Sequence, residues 1–285
     1  MSLRLEDMQP ELLAHFKKLV AASRLSHAYL FSGGFGNREM ALFLAQAIFC
    51  EQTHDGKPDG SCRSCQLIGS DAFMDVHRIV PDGAQIKIDQ IRDLLETFSE
   101  SGFEGRAKVV IIEQSERLNV TAANALLKAI EEPARETFIF LLTDNENRIL
   151  STIRSRAQLV NFPQNAQLMT HELEEMGLLK STAEIVAQLT NSVADARVLA
   201  ESAWLTDGLK SLARVAEKAG RDAALLELSA VADSFTEKKQ QEIALQALTV
   251  LLARENSRLT EKSFRAMRYF RANVNFRSAL ESIFL

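Results

Sequence analysis

Proline and glycine are scarce in this chain, 5 and 12 among 285 residues, which excludes long disordered or turn-rich tracts. No stretch reaches the roughly 18 consecutive apolar residues that a membrane-spanning helix requires. The opening MSLRLEDMQPELLAHF alternates charged with apolar residues, unlike the unbroken apolar core of a targeting segment, so the expected location is the cytoplasm and no membrane partner is expected. Cysteine is limited to three residues, an odd number that argues for a reducing compartment and against a disulfide framework. Positive charge is in deficit as well. A net charge of −5 argues against a free-standing, non-specific DNA binder, whose affinity comes from neutralising phosphates with excess Lys and Arg. The deficit is uneven: residues 254–285 hold seven basic and three acidic side chains, leaving the remainder at −9.

What is present is the composition of an ordinary globular protein, 46% apolar and 25% charged, long enough for roughly two domains. Five short apolar, β-rich runs stand out: Ala28–Phe31, Val76–Val80, Val109–Ile112, Phe138–Leu142 and Gln158–Phe162. Between them Glu39–Phe49, Ile88–Phe98 and Thr121–Glu132 carry apolar residues at three- and four-residue spacing, the mark of helices. Strands apolar on both faces and separated by helices predict an α/β domain with a parallel sheet, whose ligands belong at the carboxyl ends of the strands. After Phe162-Pro163 no strand run appears, and the chain becomes rich in Ala, Leu, Glu, Lys and Gln. The expected division is residues 1–163, a small helical unit over 164–206 and an all-helical domain over 207–285, with the second, weaker break near Trp204–Gly208.

At the end of the first strand run, SGGFGNREM begins like a phosphate-binding loop. Laying G-x-x-x-x-G-K-[ST] on the chain puts its first glycine at Gly33, with Gly36 inside the loop, and its last three positions at Arg38, Glu39 and Met40. The second glycine, the lysine that reaches terminal phosphates and the hydroxyl that binds magnesium are all missing, and Glu39 would repel phosphate. The third strand run ends in Glu113 and Gln114, where a nucleotide hydrolase of this class holds a magnesium carboxylate and the glutamate that polarises the attacking water. A neutral Gln is no general base. Defects at both halves of one site favour an inactive nucleotide site over chance resemblance.

HAYLFSGGFG, KVVIIEQSERLNVTAANALLKAIEEP and ILSTIRSRAQLVNF resemble the AAA+ subunits of the bacterial sliding-clamp loader of DNA polymerase III, and the missing loop residues resemble its members without an ATPase of their own. The match runs from about Leu12 to Phe162, and the closing ANVNFRSALESIFL is similar to that family's last helix. The resemblance implies a RecA-like AAA+ domain with an inserted cysteine loop, then a helical lid, then a helical collar that joins subunits. It implies an incomplete ring with gamma/tau and delta subunits, acting on a sliding clamp and on primed DNA inside the assembly. It also gives Arg156 a role. In the family a Ser-Arg-Cys motif projects its arginine into the neighbour's ATP site, and here Ser155-Arg156-Ala157 keeps the arginine, with Arg154 two residues away as the competing candidate. A guanidinium stays charged and contacts phosphate oxygens through a planar fork. The sensing arginine of the family's second domain has no counterpart: Asn191-Ser192-Val193-Ala194-Asp195-Ala196 places Ala194 there.

The cysteines follow C-x11-C-x2-C at Cys50, Cys62 and Cys65, a spacing that suggests structural zinc, which takes four tetrahedral ligands. Where the resembling family has its fourth cysteine this chain has Asp59, with His54 in the same loop as the competing ligand. Near the end, Arg265, Arg268 and Arg271 alternate with Phe264, Met267 and Phe270, a pattern for subunit packing or nucleic-acid contact. Three functions remain in view: a non-catalytic clamp-loader subunit, with any DNA synthesis belonging to the polymerase holoenzyme; an unusual P-loop ATPase acting on its own; and a zinc-dependent nucleic-acid-binding module.

Overall fold

In the computed structural model, which describes residues 3–99, 107–133, 136–218, 227–228, 231–254 and 256–285, the apolar runs form five strands. These are β1 (Ala28–Ser32), β2 (Val76–Ile79), β3 (Lys108–Ile112), β4 (Thr137–Thr143) and β5 (Gln158–Asn161). They pair in parallel in the order β2-β3-β4-β1-β5. Parallel neighbours need crossovers, and helices supply them. The strand ends differ from expectation by a residue or two. Val80 falls outside β2, at 44% exposure, because Pro81 follows it and cannot donate to the ladder.

Alternation along the strands builds a core on each face of the sheet. Tyr29, Phe31, Val109, Ile111, Phe140 and Leu142 face α2 (Pro10–Ala21) and α3 (Asn37–Phe49), where Phe16, Met40 and Leu44 meet them. Leu30, Val110, Ile112, Ile139 and Leu141 face α5 (Ile88–Ser99), α6 (Val120–Glu131) and α7 (Ser151–Arg154) through Ile91, Leu126 and Ile153. The Phe16 ring packs edge-on to Tyr29 and Phe31 at 5.4 and 5.6 Å. Each such ring contributes about 1.5–3 kcal/mol by leaving water. Two short helices complete this unit, α1 (Leu5–Met8) and α4 (Arg63–Gly69).

The chain divides into two compact units, Leu3–Gln164 and Asn165–Leu285. Among the described residues every regular element of the second is helical: α8 (Ala166–Glu175), α9 (Lys180–Leu189), α10 (Val193–Glu201), α11 (Ala203–Glu217), α12 (Lys238–Ala253), α13 (Ser257–Arg271) and α14 (Phe276–Phe284). Asn165, Ser192, Asn256 and Asn275 cap α8, α10, α13 and α14 by accepting from backbone N–H groups of the first turn. Helix α11 runs unbroken through Trp204–Gly208, and the chain bends before it, at Ser202. Gly208 serves close packing: a β-carbon there would stand 2.5 Å from the Phe235 ring. The arginines of α13 do not form one free stripe, since Arg265 pairs with Glu261 and Arg271 with Glu242. Among the described residues no helix is long and apolar enough to cross a membrane.

Candidate functional site

The loop after β1, where the sequence begins like a phosphate-binding loop, turns on glycines in the left-handed region. Gly33 and Gly36 hold φ of +102° and +85°, and Gly36 leads directly into α3. What surrounds that backbone belongs to the chain itself. A β-carbon on Gly33 would stand 2.3 Å from the Phe162 carbonyl oxygen, and one on Gly36 would touch Gln9, Met8 and Leu5 at 3.2 to 3.6 Å. The buried Gln9 amide donates to the carbonyls of Phe35 and Pro163, both at 2.8 Å, so the amino-terminal segment is fastened over the loop.

The residues at the functional positions of the loop are turned to other tasks. Met40, where a hydroxyl would bind magnesium, is fully buried in the core between α3 and the sheet. Glu39 is exposed in the first turn of α3. Arg38 reaches across to the end of β3, its Nε 3.2 Å from the Glu113 carboxylate. Arg78, at the end of β2, donates to the same carboxylate oxygen at 2.6 Å and holds Asp71 at 3.0 Å. Glu113 is thus compensated by two guanidiniums. Gln114 adopts φ +50° and begins the turn into Ser115–Arg117, where the Ser115 hydroxyl donates to the Leu142 carbonyl.

Arg156 lies in the short link between α7 and β5, anchored on either side by the buried Ile153 and Ala157. Its Nε stands 2.5 Å from the carboxylate of Glu131, the last residue of α6, and its Nη1 donates to the Thr152 carbonyl and the Ser155 hydroxyl. Arg154 is engaged elsewhere, with Glu146 and Asn147. The side chain of Arg156 remains 40% exposed. In the second unit, Ala194 lies in the first turn of α10, capped by Ser192.

The thiols and one carboxylate converge. The ligand atoms of Cys50, Asp59, Cys62 and Cys65 all lie within 4.8 Å of one another, with Cys50 and Cys62 sulfurs 4.0 Å apart. Tetrahedral sulfur ligands about 2.3 Å from zinc stand about 3.8 Å apart, so a modest contraction closes this set on the ion. His54, whose backbone pairs with Lys57 instead, is not among them. Local geometry explains the convergence. Cys50 ends α3 and Cys62 caps α4, with its sulfur accepting from the Cys65 N–H at 3.5 Å. The Asp59 N–H donates to the Cys50 sulfur at 3.3 Å, while its Oδ1 accepts from the Ser61 and Cys62 N–H groups at 2.8 and 3.0 Å. Those backbone donors, Cys62 first, hold the Asp59 carboxyl down to about 2. The Cys65 N–H lowers the Cys62 thiol, whereas burial raises that of Cys65. The chemistry of the donor set, three soft sulfurs and one carboxylate oxygen, fits structural zinc.

Three participants carried no local signal in the sequence: Gln9, Arg78 and Glu131 act on residues 26, 35 and 25 positions away in the chain.

Among known proteins, the family described as DNA polymerase III, delta subunit, matches residues 8–166. The DNA polymerase III subunit delta' of Bacillus subtilis (strain 168) is 38% identical over 195 residues, which span 67% of this chain and 59% of that protein. The DNA polymerase III subunit tau of Escherichia coli (strain K12) is 31% identical over 171 residues, 59% of this chain and 26% of that one. The chain thus spans between about a quarter and six-tenths of these curated relatives' length. Among solved structures, the DNA polymerase III gamma subunit-related protein of Thermotoga maritima aligns with a TM-score of 0.51 at 24% identity, covering 94% of this chain and 97% of that one, a likeness of fold. With the family match extending over more than half of its length and over all five strands of the parallel sheet, the chain belongs to the DNA polymerase III delta-subunit family, and its relatives place it among the delta' members.

Proposed function

We propose that this chain is a clamp-loader subunit of DNA polymerase III that hydrolyses no ATP itself and lends Arg156, with Ser155, to the ATP site of a neighbouring subunit. The observation that carries the first half is the occupation of the loop by the chain's own groups: Gln9 and Met8 packed on Gly36, Met40 in the core, Arg38 spent on Glu113. Neither a lysine nor a hydroxyl stands at the loop positions where a phosphate and its magnesium would need them, and Arg38 is already paired. Arg156 supports the second half, as an exposed cation held by its own backbone link rather than buried in a core pair.

In this reading the neighbours are gamma/tau and delta subunits, and the assembly acts on a sliding clamp and on primed DNA. Residues 164–206 serve as the lid and 207–285 as the collar that binds subunits together. Zinc on Cys50, Asp59, Cys62 and Cys65 is structural: it ties the end of α3 to the start of α4 and leaves no open coordination position for a substrate. The deciding experiment reconstitutes the loader with its ATP-binding subunits and measures clamp- and DNA-stimulated ATP hydrolysis with wild type and Arg156→Ala, beside the isolated chain. An inactive isolated chain, and a loader that assembles with Arg156→Ala yet turns over far more slowly, are the expected results. Hydrolysis by the isolated chain would restore the reading of a self-sufficient P-loop ATPase, and an unchanged rate with Arg156→Ala would remove the arginine-donor role.

A further inference from the structure

The geometry points to Glu131 as the positioning residue for Arg156, an inference that rests on the arginine-donor reading above. Glu131 is the last residue of α6, where the helix dipole disfavours an acid and favours a cation. That unfavourable position is compensated by the Arg156 Nε at 2.5 Å. Helix α6 is fixed from below, because Leu126, Ala129 and Ile130 are buried against the sheet. The carboxylate therefore stands on a rigid element while the arginine stands on a short link.

The remaining contacts complete the clamp. Nη1 donates to the Thr152 carbonyl at 3.1 Å and to the Ser155 hydroxyl at 3.3 Å, so two sides of the guanidinium are held. The side chain is still 40% exposed, which leaves the guanidinium open to a phosphate oxygen from outside. A free arginine must give up its rotamer freedom each time it engages a neighbour's phosphates, whereas one already held by Glu131 gives up less. Glu131 touches no substrate in this scheme; it fixes the plane and direction of the group that does.

The test uses the reconstituted loader with four forms of this chain: Glu131→Ala, Glu131→Gln, Arg156→Ala and the double variant Glu131→Ala/Arg156→Ala. An exposed pair of this kind is worth a factor of about two to five. Glu131→Ala is expected to lower kcat for stimulated ATP hydrolysis by that factor with KM for ATP unmoved. Glu131→Gln, which keeps an acceptor for Nε, should recover most of the loss, and the double variant should be no slower than Arg156→Ala alone. Wild-type kcat in Glu131→Ala overturns the proposal while leaving the donor role intact, provided Arg156→Ala is slow. A faster Glu131→Ala loader overturns it too, since the carboxylate would then be restraining the arginine. A double variant slower than Arg156→Ala would show that Glu131 acts on something else. If Arg156→Ala is itself silent, the donor reading fails, and positioning fails with it.

Discussion

Gly33 shows how tightly single residues are specified around the loop. Its φ of +102° is costly for any residue with a β-carbon, and that carbon would stand 2.3 Å from a backbone oxygen that cannot step aside. Gly83 shares the positive φ, at +67°, but faces open space. Gly33→Ala is therefore expected to cost more than about 2 kcal/mol and Gly83→Ala only about 1 kcal/mol, as read from urea midpoints. Equal losses would mean that the contact with Phe162 is not what demands glycine. His77 on β2 supplies a pH signature. Burial first, and then the charge of Lys108, push its imidazole below the usual value, with Asp75 pulling weakly the other way. The unfolded chain takes up a proton near pH 6.5, and the folded chain does so only at lower pH. The ring's contribution is thus complete above about pH 6.5 and is lost as pH falls through the folded-state value. His77→Gln should flatten the decline in stability between pH 7 and pH 5; a decline parallel to wild type would assign it to other groups.

At the scale of elements, the cysteine loop is where sequence and structure agree for an identifiable reason. Cys62 and Cys65 are brought together by one helical turn, and Cys50 by the end of α3, so spacing alone exposes them. Asp59 was legible only through resemblance, and its selection over His54 follows from backbone donors that aim the carboxylate. Purified chain is expected to carry about one zinc per molecule, and chelation should lower its melting temperature. Cys62→Ser should abolish the metal, whereas His54→Ala should leave it in place. Zinc lost from His54→Ala but kept by Asp59→Ala would reverse the choice of fourth ligand. The inner strands β1, β3 and β4 were legible because burial on both faces leaves apolar runs, as in KVVII of β3, all five of whose residues are buried; the edge strands β2 and β5 are largely half-buried or exposed and signalled more weakly. The ion pairs around Glu113 and Arg156 were not, because a charged side chain in sequence carries no mark of which distant partner it will meet. The need for glycine at 208 was hidden for a related reason: it comes from the Phe235 ring packed against that position of α11.

For the whole molecule, the loop's occupation by its own groups predicts blindness to nucleotide, and an equilibrium measurement can detect it without any partner. A ligand that binds only the folded state raises stability by RT ln(1 + [L]/Kd), about 2.7 kcal/mol at a hundredfold excess over Kd. In a chain of this size each kcal/mol moves the melting temperature by about 2–4 °C. Millimolar ATP with magnesium should accordingly leave the melting curve of the isolated chain where it was. Rebuilding the motif tests whether missing side chains or filled space is responsible. Glu39→Lys restores the lysine at an exposed position and should fold normally. Met40→Thr places a hydroxyl in the core and removes buried volume there, at a cost of about 2–4 kcal/mol. The double variant is expected to melt earlier and still to show no upward shift with ATP, because Gln9 remains fastened to Phe35 and Pro163 and Arg38 remains paired with Glu113. A clear ATP-dependent rise in that variant would mean that the amino-terminal segment yields to nucleotide, and that the missing lysine and hydroxyl alone prevent binding.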